Sequence, residues 1–224
     1  MTAKRRKVGS GESRMEGPGD APIRARILDE ALTQFAYNGF HAISTNDIAK
    51  ACGCSQSVVM YHFDTKLILW QEAMRVLFGK IDAKHLFDRS IYKDLDALAR
   101  LRVLLRRFVM VSARHPELGK VITRESIEGG ERLDWLMREL ATDSYSMFAT
   151  IFTEGIAAGS MKDYPPELLT LMTHGAAATV FNLTSLSRRL LEHDPFDDDV
   201  RETQADMIVD ILLDGLAVRS PDTN

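Results

Sequence analysis

The sequence predicts an all-α fold, with a three-helix amino-terminal unit leading into a larger helical body. Three observations carry this. Apolar residues recur at spacings of three and four over most of the chain, which lines one face of a helix. Capping residues and Gly or Pro stops punctuate those stretches. No stretch alternates β-branched with polar residues in the way a half-buried strand requires.

Taken in order, residues 1–21 are rich in Gly, Pro, Ser and charge, with almost nothing to bury, and are expected to form a disordered arm. Its basic run, Lys4 to Lys7, suits either a minor-groove or phosphate contact or a plain solubilising tail. From Arg24 a stripe of Ile27, Ala31 and Phe35, flanked by Leu28 and Leu32, marks the first helix. Asn38-Gly39 ends it, because Gly accepts the left-handed backbone just past a helix.

Residues 39–69 hold three helix starts in quick succession. Ser44-Thr45 precedes Asn46-Asp47, Ser55 precedes Gln56-Ser57-Val58, and Asp64-Thr65 precedes Lys66-Leu67. Gly53 sits between the first two, where a tight turn needs a residue without Cβ. Ile48, Ala49 and Cys52 face inward from the first short helix, Cys54 plugs the turn, and Val59 faces inward from the second. Two short helices joined by a glycine turn are the helix-turn-helix layout, whose second helix enters the major groove of DNA.

Beyond it, Leu98, Leu101, Leu105, Phe108 and Ser112 share one helix face until His115-Pro116 stops that helix. Tyr145, Phe148 and Phe152 mark another, closing near Gly155 to Gly159. Pro165-Pro166 opens a long helix expected to run to about Leu191. After the loop Glu192 to Asp199, a last helix carries Val200, Met207, Ile208, Ile211, Leu212 and Leu216.

The bulk figures fit this reading. The 224 residues are 45% hydrophobic and 27% charged, ordinary for a folded chain with a sizeable core. The net charge of -4 hides an asymmetry: residues 1–66 hold nine Lys/Arg against seven Asp/Glu, and the rest nineteen against twenty-five. A basic amino end on an acidic body approaches a polyanion in one orientation. No apolar run reaches the roughly 18 residues of a membrane span, and no secretory signal opens the chain, so a cytoplasmic location is expected. Cys52 and Cys54 have no further Cys or His at ligand spacing, so they are expected to be core side chains, with no metal and no cofactor.

The segment STNDIAKACGCSQSVVMYHFDTKLIL resembles the DNA-binding segment of the TetR (tetracycline-repressor-like) family. The matching positions are Ile48-Ala49, Ala51, Gly53, Cys54, Ser55, Tyr61-His62-Phe63, Lys66 and Leu69. The preceding Phe35 to Phe40 resembles the end of the family's first helix, so the likeness spans about residues 24–70. It implies that Thr45 and Ser55 present hydroxyls and helix-start amides to phosphates. Gln56, Ser57 and Val58 then reach base edges, where Gln can grip adenine and Val a thymine methyl. Tyr61 and His62 contact the backbone, and Lys66 supplies a charge to a phosphate. Two departures stand out: Met60 where the family often has Tyr, and Gln56 where it often has Lys.

The resemblance further implies a symmetric homodimer on a near-palindromic, double-stranded operator, with recognition helices about 34–36 Å apart. The last two long helices, about 165–191 and 198–217, are expected to build the interface. Ala176, Ala177, Val180 and Leu183 supply one side of it, and Ile208, Ile211 and Leu212 the other. A mostly apolar effector cavity is expected among the helices from about 65 to 180. Its candidate walls are Trp70, Phe108, Met110 and Trp135, together with Phe148, Phe152, His174 and Asn182. The domain layout expected is an arm (1–21), a DNA-binding domain (22–66), a ligand-binding and dimerisation domain (67–218) and a tail (219–224). The implied function is a repressor that a small apolar or amphipathic molecule releases from DNA. The same fold acting as an activator or without a ligand remains open. An enzyme finds no support in any catalytic motif, and a nonspecific architectural DNA protein is disfavoured by a pI near 5.9.

Overall fold

The computed structural model describes residues 22–81 and 89–218; the basic arm (1–21) and the tail (219–224) lie outside the described residues. Four helices come first: α1 (Ile23–Asn38), α2 (Thr45–Ala51), α3 (Gln56–His62) and α4 (Lys66–Lys80). After a 3-10 turn (Arg89–Tyr92) follow α5 (Ala97–Arg114), α6 (Pro116–Glu128), α7 (Glu131–Leu136) and α8 (Thr142–Ala157). Then come α9 (Pro166–Asn182), α10 (Thr184–Leu190) and α11 (Asp198–Leu216).

Local chemistry sets most of these ends. Gly39 leaves α1 at φ 88°, and its N–H donates to the Phe35 carbonyl at 3.0 Å. Ser44 and Asp47 form a reciprocal capping box on α2. Gly53 takes φ 65° in the turn between α2 and α3. Thr65 caps α4 by accepting from the Ile68 N–H at 3.1 Å.

Two apolar cores result. The first gathers Ile27, Ala31, Phe35, Ile48, Ala49, Cys52, Val59 and Phe63. Buried α4 residues Leu69, Trp70, Ala73 and Leu77 join it, as do Leu118 and Val121 of α6, so this core reaches past the three-helix unit into the body. The second lies among α5, α8, α9 and α11, around Leu101, Leu105, Phe148, Phe152, Phe181 and Val209.

Two features depart from the expected helices. A single helix to Leu191 does not form: Leu183 (φ -94°, ψ 44°) breaks it between α9 and α10. Side chains take the carbonyls the break leaves: the Thr184 hydroxyl donates to the Phe181 carbonyl (2.6 Å) and the Ser187 hydroxyl to the Val180 carbonyl (2.7 Å), while the Lys120 ammonium of α6 donates to the same Phe181 carbonyl (3.1 Å) and to the Thr184 hydroxyl (3.2 Å). Between α7 and α8 the helix widens through a π turn, Met137–Ala141, whose loosened Met137 carbonyl accepts from the Thr142 hydroxyl at 2.5 Å.

Candidate DNA-reading face and effector cavity

α3 is carried on the first core by Val59, with Val58 half-buried beside it. The opposite side presents exposed Gln56, Ser57 and Tyr61, with Tyr61 83% exposed. His62 lies edge-on to Tyr61, with centroids 5.2 Å apart. At the start of α3, Ser55 makes no side-chain cap; its hydroxyl meets that of Ser57 at 2.7 Å. Thr45 is only 8% exposed, and its hydroxyl accepts from the Gln56 amide nitrogen at 2.9 Å. Gln56 is thus tied to the start of α2. Lys66 lies with its ammonium 4.4 Å from the Phe40 ring centroid, a cation–π contact. Burial, then the neighbouring Arg132 charge, pushes the Lys66 pKa below its ordinary value.

The body holds a cavity of about 360 Å³. Phe108 and Ser112 of α5, Ile122 and Thr123 of α6, Leu140 and Ala141 of the π turn, and Ser144 and Tyr145 of α8 form much of its wall. α9 completes it with Leu171, His174, Gly175, Ala178, Thr179 and Asn182. No charged side chain lines it among the described residues.

Its polar pole is built on His174. Nδ1 lies 2.9 Å from the Thr170 carbonyl, which only accepts, so Nδ1 carries the proton. Bare Nε2 then accepts from the Ser144 hydroxyl at 3.1 Å, leaving the serine oxygen's lone pairs as acceptors at the wall. Tyr145 stacks on the imidazole at 4.1 Å, and Phe108 and Phe148 meet it edge-on. Burial pushes the His174 pKa down to about 4, so the ring is neutral near pH 7.

Of the eight residues expected in the pocket, Phe108, His174 and Asn182 line this cavity. Phe148 and Phe152 are fully buried in the second core, and Met110 packs partly buried against it. Trp70 and Trp135 instead pack on each other in the first core, 5.5 Å apart. Trp135 also borders a separate groove beside Phe40 and His41. Ser144 escaped sequence reading, since a serine within a helix carries no signal of its own. Arg124 and Arg132 escaped as well, although the i, i+4 pair Lys120 and Arg124 hints at a shared face on α6.

Those cations join the two halves. Arg124 donates to the Tyr37 (3.2 Å) and Asn38 (3.3 Å) carbonyls, capping the end of α1 where cations are favoured. Arg132 pairs with Glu125 at 2.9 Å and with Glu128, while its guanidinium rests 4.5 Å from the Phe40 ring centroid. Glu125 is buried, and burial raises its pKa despite the Arg132 charge. α6 therefore forms cavity wall on one side and grips the DNA-reading unit on the other.

A helix-turn-helix set on an all-helical body through such a joint defines a DNA-binding transcription regulator. The chain belongs to the TetR family of bacterial regulatory proteins. Residues 27–73 match the domain described as bacterial regulatory proteins, tetR family, and residues 98–212 the tetracyclin repressor-like C-terminal domain. Among similar proteins, the HTH-type transcriptional repressor KstR2 of Rhodococcus jostii is 26% identical over 204 residues, covering 89% of this chain and 93% of its own. The HTH-type transcriptional regulator RutR of Escherichia coli O157:H7 is 25% identical over 149 residues, 65% of this chain and 68% of its own. The solved ketosteroid transcriptional regulator KstR2 of Mycobacterium tuberculosis shares the fold at TM-score 0.68 and 17% identity, over 88% of this chain and 95% of that one. AibR, solved with isovaleryl coenzyme A and operator DNA, does so at TM-score 0.63 and 16% identity, over 84% and 97%.

Proposed function

We propose that this protein is a one-component repressor, a dimer that reads a near-palindromic operator with α3 and leaves it when a small amphipathic molecule fills the cavity. The observation that carries this reading is the double use of α6. A ligand that spreads Ile122 and Thr123 shifts the helix whose Arg124 holds the end of α1. Binding to the shifted conformer then lowers DNA affinity by the ligand's differential affinity for the two states. The AibR complex with both isovaleryl coenzyme A and operator DNA supports a fold of this kind serving both ligands. The function is binding rather than turnover, and it is exercised in the cytoplasm, where the operator is.

Within α3 and its flanks, Gln56, Ser57 and Tyr61 are the exposed side chains offered to DNA, with Val58 and His62 at the edge. Ser55 and Lys66 face phosphates, and Thr45 acts through Gln56. The dimer face follows exposure. Leu168, Leu171 and Met172 of α9, Leu186 and Leu190 of α10, and Met207 and Ile211 of α11 leave unusual apolar area on the surface. Ala176 and Leu183 are exposed alongside them, whereas Ala177 and Ile208 are buried within their own chain and serve its core. Val180 and Leu212 pack partly buried against that core.

The test is fluorescence anisotropy of the protein on DNA from upstream of its own gene, with excess competitor DNA and a salt titration. Saturable binding that survives competitor is the expected result. Binding that competitor abolishes refutes a local operator.

A further inference from the structure

The cavity does not end at its apolar walls. Thr123, Ile127 and Asn182 also border a second chamber of about 480 Å³ at the joint with the DNA-reading unit, beside Tyr37. Asn182 is the partition. Its amide donates to the Thr123 hydroxyl at 3.3 Å and lies over Gly119, where any Cβ would collide with it at 1.9 Å.

The second chamber is chemically unlike the first. Lys120 and Arg124, one helical turn apart on α6, both line it. Among the described residues neither forms an ion pair; Arg124 leans instead on the backbone carbonyls at the end of α1, and Lys120 on those at the end of α9, on the Thr184 hydroxyl and on the Tyr37 ring, 5.2 Å from its centroid. The Arg124 Nε is buried without a hydrogen-bond partner. Glu128 also borders the chamber, but its carboxylate is held by Arg132 and lies 3.6 Å from His41. Partly desolvated cations with no carboxylate in ion-pair contact among the described residues (Glu117 acts on Lys120 only from a distance), beside an apolar cavity, form a place where an anion gains more than it does in water.

We infer that the effector is an anionic amphiphile: its apolar body fills the cavity, and its carboxylate or phosphate tail passes Asn182 to take Lys120 and Arg124. This rests on the effector reading of the cavity proposed above and adds the ligand's charge and a route for its effect. An anion that draws Arg124 away from the Tyr37 and Asn38 carbonyls unpins the end of α1, and one that draws Lys120 loosens the Leu183 break.

The experiment is calorimetric titration of the full chain with decanoate, decyl phosphate and decan-1-ol, which share one apolar body and differ in charge. At least one anion is expected to bind tenfold or more tighter than the alcohol, and whichever does so names the tail. That ratio should shrink as NaCl rises from 0.05 to 0.5 M, by screening. Lys120→Met and Arg124→Met should each bring the ratio towards one, with circular dichroism checking that the variants fold. Equal binding of all three compounds by the unaltered protein overturns the anionic tail and leaves the cavity as an effector site. A ratio that persists in both folded variants overturns the role of these cations. Binding of none of the three overturns both the tail and the cavity reading.

Discussion

Replacing His174 with Gln should remove a specific part of the protein's sensitivity to acid. The imidazole is buried against Tyr145, Phe108 and Phe148, and its pKa falls from 6.5 to about 4. In the unfolded chain the ring regains an ordinary pKa, so between those two values the unfolded state binds more protons. The His174 contribution to stability is therefore fully present above pH 6.5 and is lost as the pH falls towards 4. Each pKa unit corresponds to about 1.4 kcal/mol, so acidification from pH 7 to pH 5 should remove about 2 kcal/mol through this one group. Tyr145 does not titrate in this window, because burial raises its pKa further, and no charged side chain lines the cavity among the described residues. His115, also lowered by burial, contributes equally to both proteins and cancels in the comparison. The assay is urea unfolding at pH 7 and pH 5, at fixed protein concentration, for the unaltered protein and for His174→Gln. The variant should start less stable but lose about 2 kcal/mol less on acidification. Equal losses in the two proteins would refute a buried, neutral His174.

Other expectations follow from the same geometry. Gly39→Ala places a Cβ at φ 88° and 2.7 Å from Arg124 Nη1, so urea unfolding should show a loss of about 1–3 kcal/mol. Gln56→Ala should cost about 1–3 kcal/mol of operator binding, concentrated at one symmetric base-pair position in a panel of altered operators. A loss spread evenly over all positions would place the base-reading residue elsewhere. Ile211→Asp, on a side chain 64% exposed, should shift sedimentation towards monomer and weaken operator binding while leaving the far-ultraviolet circular dichroism unchanged.

The DNA-reading unit was legible because local chemistry determines it. Gly39 and Gly53 adopt the positive φ their positions demanded, and Ser44 caps α2 as its sequence announced. Where the outcome depends on tertiary partners, the sequence carried less. LTSLSRRL keeps helical spacing without Gly or Pro; only Thr184 and Ser187, whose hydroxyls take the Phe181 and Val180 carbonyls, hint at the break at Leu183, and the Lys120 contact that joins them comes from another helix. Trp70 and Trp135 look like pocket walls by size, yet each satisfies the other inside the first core. On α9 and α11 apolar residues occur on both sides of the helix, so periodicity does not distinguish the inward face from the outward one. Ala177 and Ile208 accordingly turned in while Met172 and Met207 turned out. The Thr45–Gln56 bond joins two helices through side chains that each also suit a cap or a surface, so only their juxtaposition reveals it.

The π turn at Met137–Ala141 bears on how this chain tolerates changes in length. A π turn accommodates one residue more than a regular helix, and each helical residue turns the chain by about 100°. In a regular helix that extra residue would rotate α8 by that angle relative to α7; the wide turn absorbs it and keeps α8 in phase. Trimming one residue within the turn should therefore tighten it into a regular helix, with Trp135 still against Trp70 and Ser144, Tyr145, Phe148 and Phe152 still on the walls they now occupy. A one-residue deletion farther along α8 has no wide turn to take it up, and it would turn the residues beyond it off the walls that face α5 and α9.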